Sequence, residues 1–171
     1  FSAILVSDWE QLPDADRKGL AADISDQVGD VAAIVDDLLA VYGSRRMEVS
    51  ADVVAVDVAI DGVNTAGIDI VIADDLSVVG DQLRIRQIVR NLIRNSAAHG
   101  GCNAELRAER VGERVQIVVA DDGAGVDPEV RDQLFEPFCH GGRSGSLGLG
   151  LSVSRDLARA MDGDLTYTRL D

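Results

Sequence analysis

Asn91 and Asn95 are the first side chains in this sequence with a specific chemistry to offer. An amide oxygen is a hard, neutral ligand suited to Mg²⁺, a cation that keeps waters and takes further ligands from phosphates. Four residues make one helical turn, so the two amides share a face. A second candidate is Asp121, in the run VVADDGAGVD at 118–127. Its carboxylate can accept a hydrogen bond, and an adenine amino group is one donor of the right kind. Gly123 and Gly125, just beyond it, let the backbone turn sharply and approach a ligand. The third is GSLGLGL at 145–151, opening a helix. Glycines before a helix start expose backbone N–H groups at its positive end, a general phosphate site. Between the last two lies LFEPF at 134–138, carrying Phe135 and Phe138.

Each feature also has an ordinary reading. An Asn pair can be a polar boundary, Asp-Gly a plain turn, the glycine run a hinge without a ligand, and the phenylalanines core. The glycine run is neither G-x-x-x-x-G-K-[ST] nor a full G-x-G-x-x-G, because Val153 stands at its last position. That supports neither a P-loop nor a dinucleotide fold.

The element that must position the asparagines is the stretch 81–100, DQLRIRQIVRNLIRNSAAHG. It reads as a helix capped by Asp81. Ile85, Ile88, Val89, Leu92 and Ile93 form one apolar stripe. At about 100° per residue, the asparagine face flanks that stripe. Arg86, Arg90 and Arg94 run along a different line, roughly 120° around, and should point more toward solvent. Asp121 and its glycines need a strand ahead of them. Residues 104–110 and 114–120 supply it as an antiparallel hairpin about a Val-Gly-Glu turn. Strands are also expected at 53–56, 68–72 and 76–79, and a final one at 165–169. Short helices are expected within 57–65 and at 128–134, the latter with Asp127 as cap and Pro128 first. A longer helix covers 149–161. Mixed strands with helices on one face give an α+β fold.

Upstream, 1–12 reads as the tail of a helix and 13–14 as a turn. Residues 14–42 form a long helix with a heptad seam of Ile24, Val28, Val31, Val35, Leu38 and Tyr42. Such a seam on an acidic helix wants a partner, so an antiparallel hairpin pairing with a second copy in a four-helix bundle is expected. The polar break at 43–50 divides the chain into a hairpin, 1–46, and a second domain, 47–171.

Composition sets bounds on function. Among 171 residues, 46% are hydrophobic and 4% aromatic, so the core is aliphatic. The formal net charge of −14 opposes sequence-independent nucleic-acid binding, which needs a basic surface, so no nucleic-acid partner is expected. It says little against ATP, since local N–H donors and a metal can hold phosphate on an acidic protein. Cys102 and Cys139 are the only cysteines, which suits a cytoplasmic setting. The chain starts at Phe1 inside an apolar run. It reads as a fragment, and any membrane segment would lie elsewhere in the parent protein.

The set N-L-I-R-N-S-A, D-D-G-A-G, F-E-P-F and G-S-L-G-L-G-L, in this order, resembles the nucleotide-binding boxes of sensor histidine kinases. The wider group is the ATPase superfamily shared with DNA gyrase and mismatch-repair ATPases. The resemblance covers roughly 53–170. It implies a two-layer α/β sandwich of the histidine-kinase ATPase type, preceded by a dimerisation hairpin, with ATP and Mg²⁺ bound under a lid. On that resemblance Asn95 matches the Mg²⁺-binding, catalytic asparagine, and Asn91 the phosphate-side one. Asp121 matches the carboxylate that selects adenine, with Gly123 and Gly125 beneath the purine. Phe135 and Phe138 match the box that anchors the lid. Gly145, Leu147, Gly148, Leu149 and Gly150 match the loop that closes on the phosphates. His99 falls where a ring near the nucleotide is frequent.

The sequence also departs from the family. Ala98 stands where a basic residue is frequent, and Asp122 where Asn is usual, adding negative charge near the site. The lid at 139–147 is short, with His140 and Arg143 as its only possible cations. The implied activity is transfer of the ATP γ-phosphoryl to a histidine, then to an aspartate on a response regulator. The acceptor histidine would sit just before Phe1, so this chain should bind ATP and not phosphorylate itself. Two rivals stand beside that reading. One is a serine kinase or ATPase of the same superfamily. The other is a degenerate nucleotide-binding dimer that only transmits a signal.

Overall fold

The computed structural model describes residues 50–63, 65, 67–139 and 148–169, together with Pro13 and Arg17. The helical hairpin expected over 1–46, its boundary with the second domain, and the lid residues Gly145 and Leu147 lie outside the described residues.

The elements run β1 (Asp52–Ala55), α1 (Val56–Ile60), β2 (Ile68–Ile72), β3 (Ser77–Gly80), α2 (Gln82–His99), β4 (Ala104–Val111), β5 (Arg114–Asp121), α3 (Pro128–Arg131) and α4 (Gly150–Ala160). Strands β1 and β3 form an antiparallel pair, with Val53 opposite Val79. A second sheet has the order β2-β4-β5, parallel between β2 and β4 and antiparallel between β4 and β5. The β4–β5 turn is the two-residue Gly112-Glu113, with Gly112 at φ +62°, the positive value a tight hairpin demands.

Alternation along the strands decides which side is covered. On β4, Leu106 and Ala108 are buried, while Glu105 and Arg107 pair with each other on the outer side. Their partners across the ladder are Val119 and Ile117 of β5, and Ile70 and Ile72 of β2. The helices cover this inner side. Ile60 of α1, Val89 and Ile93 of α2 and Leu106 make one core cluster, against which Ile68, Ile72, Ile117 and Val119 pack. Val54, Ala59 and Ile85 make a second cluster, which Val78, Ile117 and Met161 join. A third, of Leu149, Val153 and Leu157 with Ile88, binds α4 to α2. The result is a two-layer α+β sandwich, sheet on one side and helices on the other.

The long helix starts as its sequence demands. Asp81 accepts from the N–H groups of Leu83 and Arg84 at 2.9 and 3.2 Å. Asp127 caps α3 by accepting from Glu129 N–H at 2.9 Å.

Three expectations need correction. The arginine line on α2 does not simply face water. Arg86 reaches back to α1, donating to the carbonyls of Val58 and Ala59 at 3.3 Å. Helix α3 stops at Arg131 and passes into turns, rather than running to 134. Among the described residues, 165–169 form no strand. Instead this tail is held by side chains. Asp164 pairs with Arg155 and Arg159 of α4 at 3.0 and 3.2 Å, and the Tyr167 hydroxyl accepts from Val126 N–H at 3.1 Å.

Candidate functional site

Strand β5 and helix α2 advance together. Ile117, Val119 and Asp121 alternate onto the helix side, and Val119 packs in the cluster of Ile93. Asp121 is the next residue along that side, at the exposed end of the strand. There it meets the end of α2. A Cβ on Gly100 would sit 2.9 Å from the Cβ and Cγ of Asp121, and one on Gly123 would sit 2.8 Å from the Gly100 Cα. Glycine at both positions lets the helix end and the loop close on the carboxylate. Asp121 Oδ1 accepts from Gly123 N–H at 3.0 Å, which fixes its orientation. Oδ2 has no partner among the described residues, so an exposed acceptor remains at the end of the sheet.

The loop beyond is pinned from both sides. Asp122 accepts from the backbone N–H of Asn103 at 3.0 Å and from its side-chain amide at 2.6 Å. These bonds hold its carboxyl below the usual range, the backbone N–H having the larger effect. The added negative charge expected at Asp122 is thus engaged in closing the α2–β4 loop. Gly125, at φ +76°, leaves room for the Tyr167 hydroxyl, and Arg131 lies over the Tyr167 ring at 5.9 Å.

The other end of the site is the contact between α2 and α4. Gly150 and Ser154 of α4 lie beside Asn91, while Met161 at the far end accepts from Asp81 N–H through its sulfur. The two helices are therefore antiparallel. Asn91 is only 7% exposed, and its amide donates to Ser154 Oγ at 3.2 Å and to the Gly150 carbonyl at 3.4 Å. It pins α4 to α2, where the sequence suggested a rim position. Because the helices are antiparallel, residues after Asn91 run out in front of the N-terminus of α4. Asn95, one turn on, is exposed there. His99 is exposed and ends α2 close to Gly100.

The glycine run enters α4 tightly. Gly148 sits at φ +66°, and a Cβ there would overlap the Cys139 carbonyl. Its own carbonyl accepts from Phe138 N–H at 3.1 Å. This bond ties the F-E-P-F segment to the glycines. The Leu149 side chain is core, 2% exposed, so any ligand contact it makes comes from its backbone. Gly150 opens the helix. Phe138 is 65% exposed, whereas Phe135 lies under the Arg155 guanidinium at 4.6 Å. Among the described residues, no group of three or more His, Cys, Asp or Glu is placed to hold a metal. A cation here would take one amide oxygen from Asn95 and the rest from water and ligand phosphate, which is the way Mg²⁺ usually binds.

The structure thus brings Asn91, Gly148 and Gly150 together at one end, Asp121, Gly123 and Gly125 at the other, and Asn95 and His99 along the helix joining them. Several contributors escaped the sequence reading. Gly100 and Gly101 abut the two aspartates, Ser154 receives Asn91, and Tyr167 holds the glycine loop. The Ser96 hydroxyl is buried without a partner among the described residues. Only the Gly-Gly pair after a helix left a visible signal.

A sandwich with a carboxylate and glycine loop at one end and a glycine-led helix start at the other defines a nucleotide-binding ATPase domain. Comparison with known proteins agrees. Residues 80–171, more than half of the chain, match the family described as histidine kinase-, DNA gyrase B-, and HSP90-like ATPase, and the chain belongs to that family. It is 40% identical over 101 residues to the sensor protein TorS of Escherichia coli (strain K12), a match covering 57% of this chain and 11% of TorS. The Acinetobacter baumannii histidine kinase AdeS shares the fold, with a TM-score of 0.67 over 92% of this chain and 79% of that one, at 23% identity. Full-length ShkA, crystallised in complex with AMPPNP, aligns with a TM-score of 0.59 and 27% identity over 86% of this chain and 34% of its own. The chain therefore spans only a small part of the sensor protein it matches. Its fold is that of the ATP-binding catalytic domains of sensor histidine kinases. No helix among the described residues is long and apolar enough to cross a membrane.

Proposed function

We propose that this chain is the ATP-binding kinase core of a two-component sensor histidine kinase. The observation that carries the proposal is the placement of two unlike recognition ends along one helix. From Asn91 to Gly100 is about 14 Å at 1.5 Å per residue, with a helix N-terminus at one end and an oriented carboxylate at the other. That is the polarity of a nucleotide laid along α2. The similarity to ShkA, crystallised with AMPPNP, supports the same reading.

In this reading the Oδ2 oxygen of Asp121 accepts from the adenine amino group, and Gly123 and Gly125 bring the backbone under the ring. The first N–H groups of α4, reached through Gly148 and Gly150, hold the phosphates. Asn95 would supply the protein ligand to Mg²⁺, and the ion would supply neutralisation of the phosphate charge. The chemistry asks little covalent help from the protein. The bond from the γ-phosphorus to the β,γ-bridging oxygen breaks, a nitrogen–phosphorus bond forms to an imidazole, ADP leaves, and the imidazole gives up its proton. The acceptor is a histidine on a dimerising helical hairpin, and the phosphoryl group passes on to an aspartate of a response regulator.

The test is transfer in trans. The 171-residue chain is incubated with γ-labelled ATP, Mg²⁺ and the separately expressed hairpin of the full-length protein. Label on the hairpin that is acid-labile and base-stable, and absent with Asn95→Ala, is the expected result. Acid-stable label on serine would favour a serine kinase. ATP binding without any transfer would favour a signal transmitter.

A further inference from the structure

We infer that Arg94 is a phosphate-binding residue of the site, an inference that rests on the nucleotide reading above. Arg94 lies on α2 between Asn91 and Asn95, beside the start of α4. A Cβ built on Gly150 would be 3.6 Å from Arg94 Nη2 and 3.9 Å from the Asn91 amide nitrogen. The guanidinium therefore lies next to the first residue of α4, on the side toward which the antiparallel helices open.

Its neighbours on the same helix are all engaged elsewhere. Arg84 donates to Gln87, and Arg86 to the carbonyls of α1. Farther away, Arg107, Arg155 and Arg159 have carboxylate partners. Arg94 is partly buried and forms no hydrogen bond or ion pair among the described residues. Guanidinium has five donors in a fixed fork that matches phosphate oxygens. The neighbouring groups are compatible with an anion. The Asn91 amide turns its nitrogen toward Gly150, and the helix start carries partial positive charge. No described acidic side chain pairs with Arg94 to cancel the field. Arg94 thus sits where the phosphate tail would lie.

The inference predicts a loss that grows with the number of phosphates. Adenosine, ADP and ATP are titrated calorimetrically into the full chain and into Arg94→Gln and Arg94→Lys. Arg94→Gln should weaken ATP about tenfold or more, the usual scale for losing a charge-assisted bond. Adenosine should stay within about twofold, and Arg94→Lys should lie closer to wild type than Arg94→Gln. The unfolding midpoint should not move by more than about 1 °C, because no protein partner is lost. An unchanged ATP affinity in Arg94→Gln, or an equal loss for adenosine and ATP, overturns the inference. So does a fall of several degrees in the midpoint, which would mark a structural role. Wild-type chain that binds none of the three nucleotides removes the nucleotide reading and this inference with it. Wild-type binding that Arg94→Gln leaves intact removes this inference alone.

Discussion

Asn91 and Asn95 look equivalent in the sequence, and the structure separates them. Replacing Asn91 by alanine removes two hydrogen bonds from a side chain that is 7% exposed, one to a Ser154 hydroxyl at 0% exposure and one to the Gly150 carbonyl. Each bond contributes about 1 kcal/mol net, and the vacated volume adds to the loss. Ser154 can turn its hydroxyl to the carbonyl four residues back, which limits the damage. The sum is about 2–3 kcal/mol. For a chain of this size that lowers the unfolding midpoint by roughly 4–12 °C. Asn95 is exposed and bonded to nothing among the described residues. Asn95→Ala should leave the midpoint unchanged or raise it slightly, since alanine is the better helix former by about 0.6 kcal/mol. Calorimetric or fluorescence-monitored melting of the ligand-free chain reads both. The reasoning is refuted if Asn91→Ala melts within 1 °C of wild type, or if Asn95→Ala falls as far as Asn91→Ala.

Other changes follow from the same geometry. Gly148→Ala forces a side chain into a left-handed backbone and onto the Cys139 carbonyl. It should cost about 1–2 kcal/mol from the backbone alone, read as a lower melting midpoint and a loss of nucleotide affinity together. Ser96→Ala removes a buried hydroxyl that has no partner among the described residues and should stabilise the chain by about 1 kcal/mol. A lower midpoint instead would show that the hydroxyl is bonded. Asp164 is held down to about 2, chiefly by its bond from Arg155. A carboxylate depressed in the folded state stabilises above its unfolded value near 3.8 and loses that contribution as pH falls toward 2. Melting of wild type and Asp164→Asn should therefore differ above pH 4, and the gap should shrink as pH falls from 4 through 2. A gap at pH 2 as large as that at pH 5 would contradict this.

The elements that carry local signals were legible in the sequence. Residues 68–72 are a short β-branched run, IDIVI, and form β2 with those ends, and Asp81 ahead of an apolar stripe marks the start of α2. Asp121 is legible because a strand runs straight into its glycines. What stayed hidden depends on which element lies across. A helical wheel places Asn91 at the edge of the stripe, but only the arrival of α4 buries it. The same wheel sends Arg94 toward water, and only the antiparallel crossing shows that it faces the α4 start. Residues 165–169 alternate as a strand would, yet a strand needs a ladder partner, and here Asp164 and Tyr167 tie the tail to α4 and to the glycine loop instead. Helix α3 ends early because its single turn buries no side chain, so nothing beyond the Asp127–Pro128 start extends it.

The central claim is that one nucleotide lies along α2 with its base at Asp121 and its phosphates and metal at Asn95. Titration of ATP into the chain, with and without Mg²⁺, and into Asn95→Ala and Asp121→Ala, tests it most directly. The expected result is saturable binding that weakens without Mg²⁺, loses its Mg²⁺ dependence in Asn95→Ala, and drops about tenfold or more in Asp121→Ala. Binding that is absent, or indifferent to Asp121, would contradict it.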